Sequence, residues 1–394
     1  MTTSSSSPTP SRSVSTQLIH ADDALNTIRP SLREETQDVA PPMHVSTTFR
    51  YARDPNKLQE ARDLDLSSLE GHLYSRETAP NTTRAEAILS EVIGGRALTY
   101  SSGLAALFAA YTYFNPKRVS NGAGYHGAFE VLNIHTRLSG LKQLPLDCPA
   151  EDLGPGDIIH IETPHNPTGE VVDITHYAEK AHSRGAFLLV DATFAPPPLQ
   201  DPFALGADIV MHSGTKYFGG HSDLLAGVLA VRKHEWWTGL WTDRMNMGNV
   251  MGNLEGWLTV RSLRTLELRV TRQSQNAQQI VSWLAKQTAN SDLITRLFHS
   301  SQQANTAPWL EKQMPRGHGA VFAIIFKSPE IAKTFPSLLH LFHHATSLGG
   351  VESLVEWRAM SDPTVDRSLV RFSIGIENPE DLIADLQQAF EKLT

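Results

Sequence analysis

Four short apolar runs lie between residues 158 and 231, and they alternate with segments that have helical patterns. Runs of this length and composition are typical of strands that are buried on both faces. Between the first two runs, Tyr177–Ser183 has the pattern of a helix. The alternation predicts an α/β fold with a doubly wound, mostly parallel sheet. The four predicted strands are Ile158–Ile161, Phe187–Val190, Ile209–Met211 and Val228–Val231.

The C-terminal part of the chain has a different pattern. Trp257–Ala285 contains no Gly or Pro and carries apolar residues at roughly helical spacing, which predicts one long helix. Beyond it we predict strands at Val321–Phe326 and Leu369–Ile374, with a helix from about Pro329 to His343 between them. A last helix begins after Asn378, a favourable N-cap that precedes Pro379.

These patterns divide the chain into three parts. We predict a disordered tail and N-terminal arm (residues 1–60), a large domain (61–255) and a smaller C-terminal α+β domain (256–394). The tail, Thr2–Ser11, is rich in Ser, Thr and Pro and lacks the apolar core of a signal peptide. A transit peptide is the alternative, but only Arg12 and Arg29 supply early positive charge. The irregular arm that follows, to about residue 60, has the character of a segment that wraps a neighbouring subunit.

Composition excludes several classes of partner. The chain has 34 Lys and Arg against 42 Asp and Glu, a formal charge of −8, which argues against nucleic acid and anionic membranes. No apolar run reaches the ~20 residues that span a bilayer. Cys148 is the single cysteine, so no internal disulfide can form, and we expect a reducing, cytoplasmic location. His343–His344, predicted on an amphipathic helix, lacks further ligands at zinc spacing, and we expect no metal.

One loop carries the strongest chemical signal. Lys216 follows the predicted strand at 209–211 and lies among hydroxyls and glycines. An amine there can form a Schiff base with an aldehyde, and the hydroxyls of Ser213 and Thr215 can hold a phosphate. Asp191, at the end of the preceding strand, can hold a proton on a pyridine nitrogen. Those are the needs of pyridoxal phosphate (PLP), which we predict as the cofactor.

Two further motifs fit such a ligand, although each has a plain structural alternative. Ser102, Gly103 and Leu104 begin a predicted helix whose free amides would bind phosphate, or they form an ordinary Ser-capped helix start. Tyr125, in a glycine-rich loop, could stack on a planar ring or fill a surface cleft.

Two more candidates lie at strand ends. Asn166 follows the strand at 158–161, at the edge where open α/β sheets bind ligands, and could bond a phenolic oxygen. Its alternative is an Asn-Pro turn. Asp191 ends an apolar strand, where a carboxylate is costly without a partner, although it could instead cap the following turn.

The segment His212–Asp223 resembles the PLP-lysine signature of the Cys/Met-metabolism (trans-sulfuration) enzymes. That family includes cystathionine γ-synthases, cystathionine lyases, methionine γ-lyases and homoserine-ester sulfhydrylases. Further matches fall in family order from about residue 16 to the C-terminus: Tyr74-Ser75-Arg76, Ser102-Gly103, Glu162–Pro164, Asn166–Thr168, Asp191–Ala195, Ser347–Leu354 and Arg371–Glu377.

The resemblance implies PLP fold type I, which is aspartate-aminotransferase-like, assembled as a homotetramer of catalytic dimers. It implies that Tyr74 and Arg76 reach the cofactor phosphate of the neighbouring subunit, a role that suits a guanidinium. It further implies that Arg371 binds the α-carboxylate of a small amino-acid substrate. From the sequence alone, Arg371 could instead be an exposed charge on an edge strand. Thr193 would join the cofactor site, and Asn166, Ser347 and Leu348 the substrate site.

The reaction implied is γ-replacement on an O-acylhomoserine by a thiol or related nucleophile, as in cystathionine γ-synthase. Lys216, released from its Schiff base, would be the general base, and Tyr125 would assist proton transfers. A cystathionine γ- or β-lyase is the alternative, and a non-catalytic PLP-binding homologue is a second one. Against the latter, Lys216, Asp191, Tyr125 and Arg371 are all present. A nicotinamide dehydrogenase is excluded because the Gly-rich fingerprint is missing.

The chain departs from the family in three places. Thr346 stands where cystathionine γ-synthases and γ-lyases often have Glu, and His126 replaces a common Gly. Glu356–Pro363 replaces the usual proline, small residues and Thr-His. One interpretation is that Trp357 and Arg358 build an altered pocket for a specialised acceptor, and the other is drift in a loop away from the substrate.

Overall fold

The computed structural model describes residues 13–22, 39–58, 60, 72–290 and 292–393, and elements are numbered within these ranges. A seven-stranded sheet has the order β1-β7-β6-β5-β4-β2-β3. Its strands are β1 Arg96–Tyr100, β2 Arg118–Asn121, β3 Lys142–Pro145, β4 Ile158–Glu162, β5 Phe187–Asp191, β6 Ile209–Ser213 and β7 Gly227–Val231.

The predicted mostly parallel sheet is confirmed. Strands β2 to β6 pair in parallel, whereas β7 runs antiparallel to both β1 and β6. All four predicted strands are present, each with one or two further residues at one end. Apolar side chains on both faces are buried: Leu188 and Val190 belong to one core cluster, and Leu189 belongs to the other. Because helices cover both faces of the sheet, the sequences of these strands are continuous apolar runs.

The described residues form eleven α-helices, most of which cover the seven-stranded sheet. They are α1 Val14–His20, α2 Pro80–Ile93, α3 Gly103–Phe114, α4 His126–Ser139, α5 Ile174–His182, α6 His234–Met247, α7 Asn253–Leu263, α8 Leu266–Asn290, α9 Leu310–Gln313, α10 Pro329–Thr334 and α11 Pro379–Glu391. None of these helices is long and apolar enough to cross a membrane.

A second sheet lies in the C-terminal part, with the order β10-β11-β12-β9-β8. Its central strand β12 pairs antiparallel with β11 and β9, and Phe322 stacks on Phe372 with ring centroids 4.8 Å apart. The strands are β8 Ile294–Phe298, β9 Val321–Phe326, β10 His343–His344, β11 Leu354–Trp357 and β12 Leu369–Ser373. The two strands predicted here are confirmed, as is the last helix, where the Asn378 side chain accepts from the Glu380 amide at 2.9 Å.

The single long helix predicted for Trp257–Ala285 is wrong. Two helices, α7 and α8, meet at Arg264 and Thr265. At this break the carbonyl of Ser262 accepts from the hydroxyl of Thr265 at 3.2 Å and from the guanidinium of Arg269 at 2.9 Å. Two side chains therefore satisfy a backbone carbonyl at the end of α7. No Gly or Pro marks the position in the sequence.

The helix predicted from Pro329 to His343 is also too long. Helix α10 ends at Thr334, and a 3₁₀ helix covers Phe335–Leu338, because Pro336 has no amide hydrogen to continue an α-helix. The next amides, of His340 and Leu341, donate to the carboxylate of Asp385 instead. His343–His344 is then a short strand that pairs with β11 and not part of a helix.

The prediction of an irregular N-terminal arm is wrong for part of it, because the arm contains helix α1. Ser13 caps α1, and Leu18 is buried in the main core. The predicted tail Thr2–Ser11 lies outside the described residues. Residues 39–58 contact the rest of the chain through several bonds, among them an antiparallel bridge between Thr48 and Tyr74 and a bond from Trp257 to the Pro41 carbonyl. The boundaries near 60 and 255 stay predictions.

Candidate active site

A cavity of about 380 Å³ lies at the carboxyl ends of β4, β5 and β6, beside the start of α3. This is the edge where open α/β sheets bind ligands. Thirteen of the predicted site residues line it: Ser102, Gly103, Leu104, Tyr125, Asn166, Asp191, Thr193, Ser213, Thr215, Lys216, Ser347, Leu348 and Arg371. A larger cavity of about 500 Å³ beside α1 and α2 contains none of them.

Lys216 lies in the tight turn after β6, and its Nζ donates to Oγ of Ser347 at 2.9 Å. Burial, with a smaller contribution from the positive charge of Arg371, lowers the pKa of Lys216 to about 8, against the opposing effect of Glu356. A substantial fraction of this amine is therefore neutral near physiological pH, and a neutral amine is a nucleophile. The turn thus presents an activated lysine to the cavity.

Asp191 is the last residue of β5, and its carboxyl group is buried in the sheet edge. Its Oδ1 accepts from Thr193 twice, from the amide at 3.0 Å and from the hydroxyl at 2.5 Å. Burial raises the pKa of Asp191, while the bonds from Thr193 lower it. The Thr193 hydroxyl also accepts from the Ser213 amide at 2.8 Å. Because both Thr193 bonds go to Oδ1, Oδ2 is available to pair with a protonated ring nitrogen.

The start of α3 has the features of a phosphate site. Oγ of Ser102 caps the helix by accepting from the Ala105 amide at 3.1 Å, so the first amides, at Gly103 and Leu104, remain for an anion. A Cβ at Gly103 would lie 3.1 Å from Cβ of Ser213, a tighter contact than most Cβ atoms make, so glycine favours this close approach. The residues present therefore fit a phosphate.

Thr215 has a different local role from Ser213. Its hydroxyl accepts from the Ala226 amide at 3.0 Å and donates to the Ala226 carbonyl at 3.2 Å. It therefore holds the lysine turn against the residue that precedes β7, and its place beside a phosphate remains a prediction.

Glu162, the last residue of β4, is a site residue that sequence reasoning missed. One carboxylate oxygen accepts from the Tyr125 amide and the other from the Asn166 amide, both at 2.7 Å. Burial and the nearby Asp191 raise the pKa of Glu162 to about 8, against the effect of those two amides and Arg371. A carboxylate that ends a buried strand was the available signal, the same one that identified Asp191.

Arg371 lies in the middle of β12 and is only 4% exposed. Its Nη1 donates to Oδ1 of Asn166 at 2.9 Å, and its Nη2 donates to the Ser347 carbonyl at 2.9 Å and to Oε2 of Glu356 at 2.6 Å. The alternative of an exposed edge-strand charge is wrong, because β11 and β9 flank β12. This pairing with Glu356 was also missed from the sequence.

Two predicted residues are not brought to this cavity. Within one chain's described residues, neither Tyr74 nor Arg76 lines it. The Arg76 guanidinium lies over the Tyr74 ring, 4.9 Å from its centroid. Of the two residues suggested to alter the pocket, Arg358 lines the cavity together with His126 and Thr346, whereas Trp357 does not.

This fold and this group of side chains define a PLP-dependent enzyme of fold type I, the aspartate-aminotransferase class. An activated lysine, a buried carboxylate, a helix start with free amides and an arginine converge on one cavity. Among the described residues, no group of three or more His, Cys, Asp or Glu side chains is placed to hold a metal ion.

The chain belongs to the family of Cys/Met metabolism PLP-dependent enzymes, whose family model matches residues 16–391. It is 34% identical to the cystathionine gamma-lyase of Bacillus subtilis (strain 168), covering 82% of this chain and 89% of that protein. It is 32% identical to the cystathionine gamma-synthase of Escherichia coli (strain K12), covering 92% and 96%. The crystal structure of metB from Corynebacterium glutamicum matches with a TM-score of 0.85 at 30% identity, over 97% of this chain and 99% of that one.

Proposed function

We propose that this trans-sulfuration enzyme catalyses γ-replacement on an O-acylhomoserine, with a thiol or related nucleophile as acceptor. The observation that carries the proposal is the placement of Arg371 and Lys216 in one cavity, linked through Ser347. A guanidinium and an amine so placed suit the carboxylate and the Cα of an α-amino acid. The E. coli relative named as a cystathionine gamma-synthase supports this choice of reaction.

When bound, PLP withdraws electrons from the substrate and makes the Cα proton acidic. The protein's own side chains then orient the substrate and move protons. Arg371 and Asn166 hold the α-carboxylate, which fixes the Cα position. Lys216, with a pKa of about 8, is the general base for the Cα proton. Asp191 would pair with the protonated ring nitrogen of bound PLP, and Tyr125, 38% exposed at the cavity, would contact the ring and assist later proton transfers.

Elimination by a cystathionine γ- or β-lyase is the second candidate. Relatives named as lyases match this chain as well as the synthase does, at 30–34% identity. The two reactions share the residues described above, and the accepting nucleophile separates them. A PLP-binding homologue without catalysis is the remaining alternative.

We further propose a homotetramer of catalytic dimers in which Tyr74 and Arg76 reach the cofactor phosphate of the neighbouring subunit. Tyr74 is 41% exposed, and neither residue lines the cavity of its own chain. We also propose that residues 61–255 form the PLP-binding domain and 256–394 a second domain. A cytoplasmic location is proposed because the single cysteine, Cys148, precludes an internal disulfide.

The decisive experiment incubates the PLP-loaded enzyme with O-acetyl- or O-succinyl-L-homoserine, with and without cysteine. Formation of cystathionine supports γ-replacement, and 2-oxobutanoate with ammonia in the absence of an acceptor supports elimination. Lys216→Ala is the control and should be inactive in both assays. If the yellow wild-type enzyme turns over neither ester nor cystathionine, the catalytic proposal is wrong and the non-catalytic alternative is favoured.

A further inference from the structure

The guanidinium of Arg371 has no free position for a two-point grip on a carboxylate. A guanidinium binds a carboxylate through a pair of neighbouring N–H groups, either Nη1 with Nη2 or Nε with Nη2. Both pairs use Nη2, which carries two hydrogens. In Arg371 these two hydrogens already go to the Ser347 carbonyl and to Glu356.

A substrate carboxylate must therefore displace one of the two acceptors. The Ser347 carbonyl is part of the main chain, and the neighbouring Gly349 amide is bonded to Ser373, so that segment is held in place. Glu356 is a side chain, and it presents to Arg371 the same chemical group as the substrate. Glu356 is consequently the acceptor that a substrate carboxylate can displace from Arg371.

A displaced glutamate at this position needs another cation, because Glu356 is only 2% exposed and an unpaired buried carboxylate is costly. Arg358 supplies it. Nη1 of Arg358 contacts both oxygens of Glu356, at 3.3 and 3.1 Å, and the guanidinium is 4% exposed. The hydroxyl of Ser361 also donates to Oε1 of Glu356.

These side chains therefore form a row of four charges alternating in sign, Arg371, Glu356, Arg358 and Asp362, and the two arginines of the row line the cavity. Asp362 lies 3.5 Å from Nη2 of Arg358. Two arginines share one glutamate, and Arg371, which also bonds Asn166 and the Ser347 carbonyl, is the one expected to meet the substrate.

We propose that Arg358 is a positioning residue for substrate binding: it takes the Glu356 carboxylate when the substrate's α-carboxylate binds Arg371. The inference rests on the proposed function, since it requires an α-amino acid at Arg371. Without Arg358, Arg371 is the one cation still paired with Glu356 among the described residues, and Glu356 competes with the substrate for it. Removing Glu356 as well removes the competitor, and binding should recover.

The test uses two probes of the PLP-loaded enzyme that differ only in the carboxylate: L-norvaline, which has no γ leaving group, and n-butylamine. Their dissociation constants are measured from the change in cofactor absorption. Arg358→Gln should weaken norvaline binding about tenfold or more, the loss expected when one partner of a buried pair is removed. Butylamine binding should stay within about twofold, because it makes no use of Arg371.

The double variant Arg358→Gln/Glu356→Gln removes one charge of each sign, and we expect norvaline affinity to return to within about threefold of wild type. Arg316→Gln, the loss of an exposed arginine elsewhere, is the matched control and should change nothing. If Arg358→Gln does not fold, Arg358→Lys gives the same comparison, because an ammonium keeps the charge but cannot bond Glu356 and Ser361 as the guanidinium does.

Three results would overturn the proposal. Norvaline binding that is unchanged in Arg358→Gln removes the role of Arg358, and so does a double variant as weak as the single one. An equal loss for norvaline and butylamine shows a general disturbance of the site. Wild-type enzyme that binds PLP but does not respond to norvaline contradicts the proposed function itself, which distinguishes that failure from the other three.

Discussion

Nη1 of Arg371 donates a 2.9 Å hydrogen bond to Oδ1 of Asn166, although 205 positions separate the two residues in the chain. Arg371 comes from the five-stranded sheet and Asn166 from the loop that follows β4 of the seven-stranded sheet. The bond joins the two sheets at the floor of the cavity. It also orients the guanidinium that is proposed to bind substrate.

Replacing Asn166 by Ala should weaken substrate binding more than it slows turnover. The change leaves one N–H of a buried guanidinium without its acceptor, at a cost of about 1–3 kcal/mol, which corresponds to roughly five- to 150-fold in affinity. Steady-state kinetics with the productive homoserine ester would show this as a raised KM. Asn133→Ala removes an exposed asparagine on α4 and serves as the control; equal effects of the two variants would contradict the prediction.

Replacing Lys216 by Met should stabilise the PLP-free protein at neutral pH. Burial lowers the pKa of Lys216 from 10.5 to about 8, so below pH 8 the folded state carries a buried charge at a cost. Between pH 8 and 10.5 the unfolded state binds more protons than the folded state, and the free energy of unfolding of the wild type rises with pH. The variant lacks this rise and should be about 1–3 kcal/mol more stable at pH 7.

Urea unfolding of both PLP-free proteins at pH 7 and pH 10 measures this difference. The gap between the variant and the wild type should be large at pH 7 and should shrink at pH 10. Lys142→Met, at an exposed lysine of β3, should show no such pH-dependent gap. A constant gap across the range would show that charge burial is not the cause.

Some site residues could be predicted from the sequence because the residues next to them in the chain form a recognisable local pattern. Asp191 ends an apolar strand, and Lys216 lies in a glycine-rich turn next to hydroxyls. The strands of the parallel sheet were predictable for the same reason, since helices on both faces require continuous apolar runs.

Contacts between distant segments could not be predicted in this way. No local pattern shows that Glu356 would meet Arg371, or that Glu162 would receive two amides from different loops. These pairings depend on strand register and sheet packing. The break between α7 and α8 was not predicted, because Thr265 and Arg269, whose side chains bond the Ser262 carbonyl there, are residues that also occur within helices.

Gly227 is a position where one added methyl group should damage the cofactor site. A Cβ there would lie 2.0 Å from the Ser102 carbonyl and 2.9 Å from the Gly103 amide, so Gly227→Ala must push the start of α3 away from β7. We expect PLP affinity to fall at least about tenfold, because the amides proposed to bind the phosphate move. Gly154→Ala, where the nearest atom is 3.5 Å away, is the control. Titration with PLP measures both, and equal affinities would contradict the prediction.

Thr193 should tune the carboxylate of Asp191 through its hydroxyl. That hydroxyl donates to Oδ1 of Asp191 and accepts from the Ser213 amide, and its bond to Asp191 favours the charged carboxylate. In Thr193→Val the pKa of Asp191 should rise, and a larger fraction of Asp191 should be neutral at a given pH. A neutral Asp191 holds a protonated ring nitrogen less well, so PLP affinity should fall about tenfold, and the loss should grow as the pH is lowered.

Thr193→Ser keeps the hydroxyl and should bind PLP within about threefold of the wild type, since the same bonds can form. Fluorescence titrations of both variants between pH 6 and 9 separate the hydroxyl from the methyl group. Valine keeps the methyl group of threonine and lacks only the hydroxyl, so a loss seen only with valine reports the hydroxyl, and a loss that grows as the pH is lowered assigns it to the bond with Asp191 and not to the bond from the Ser213 amide. If serine, which keeps the hydroxyl, weakens PLP binding as much as valine does, the electrostatic role of the hydroxyl is wrong.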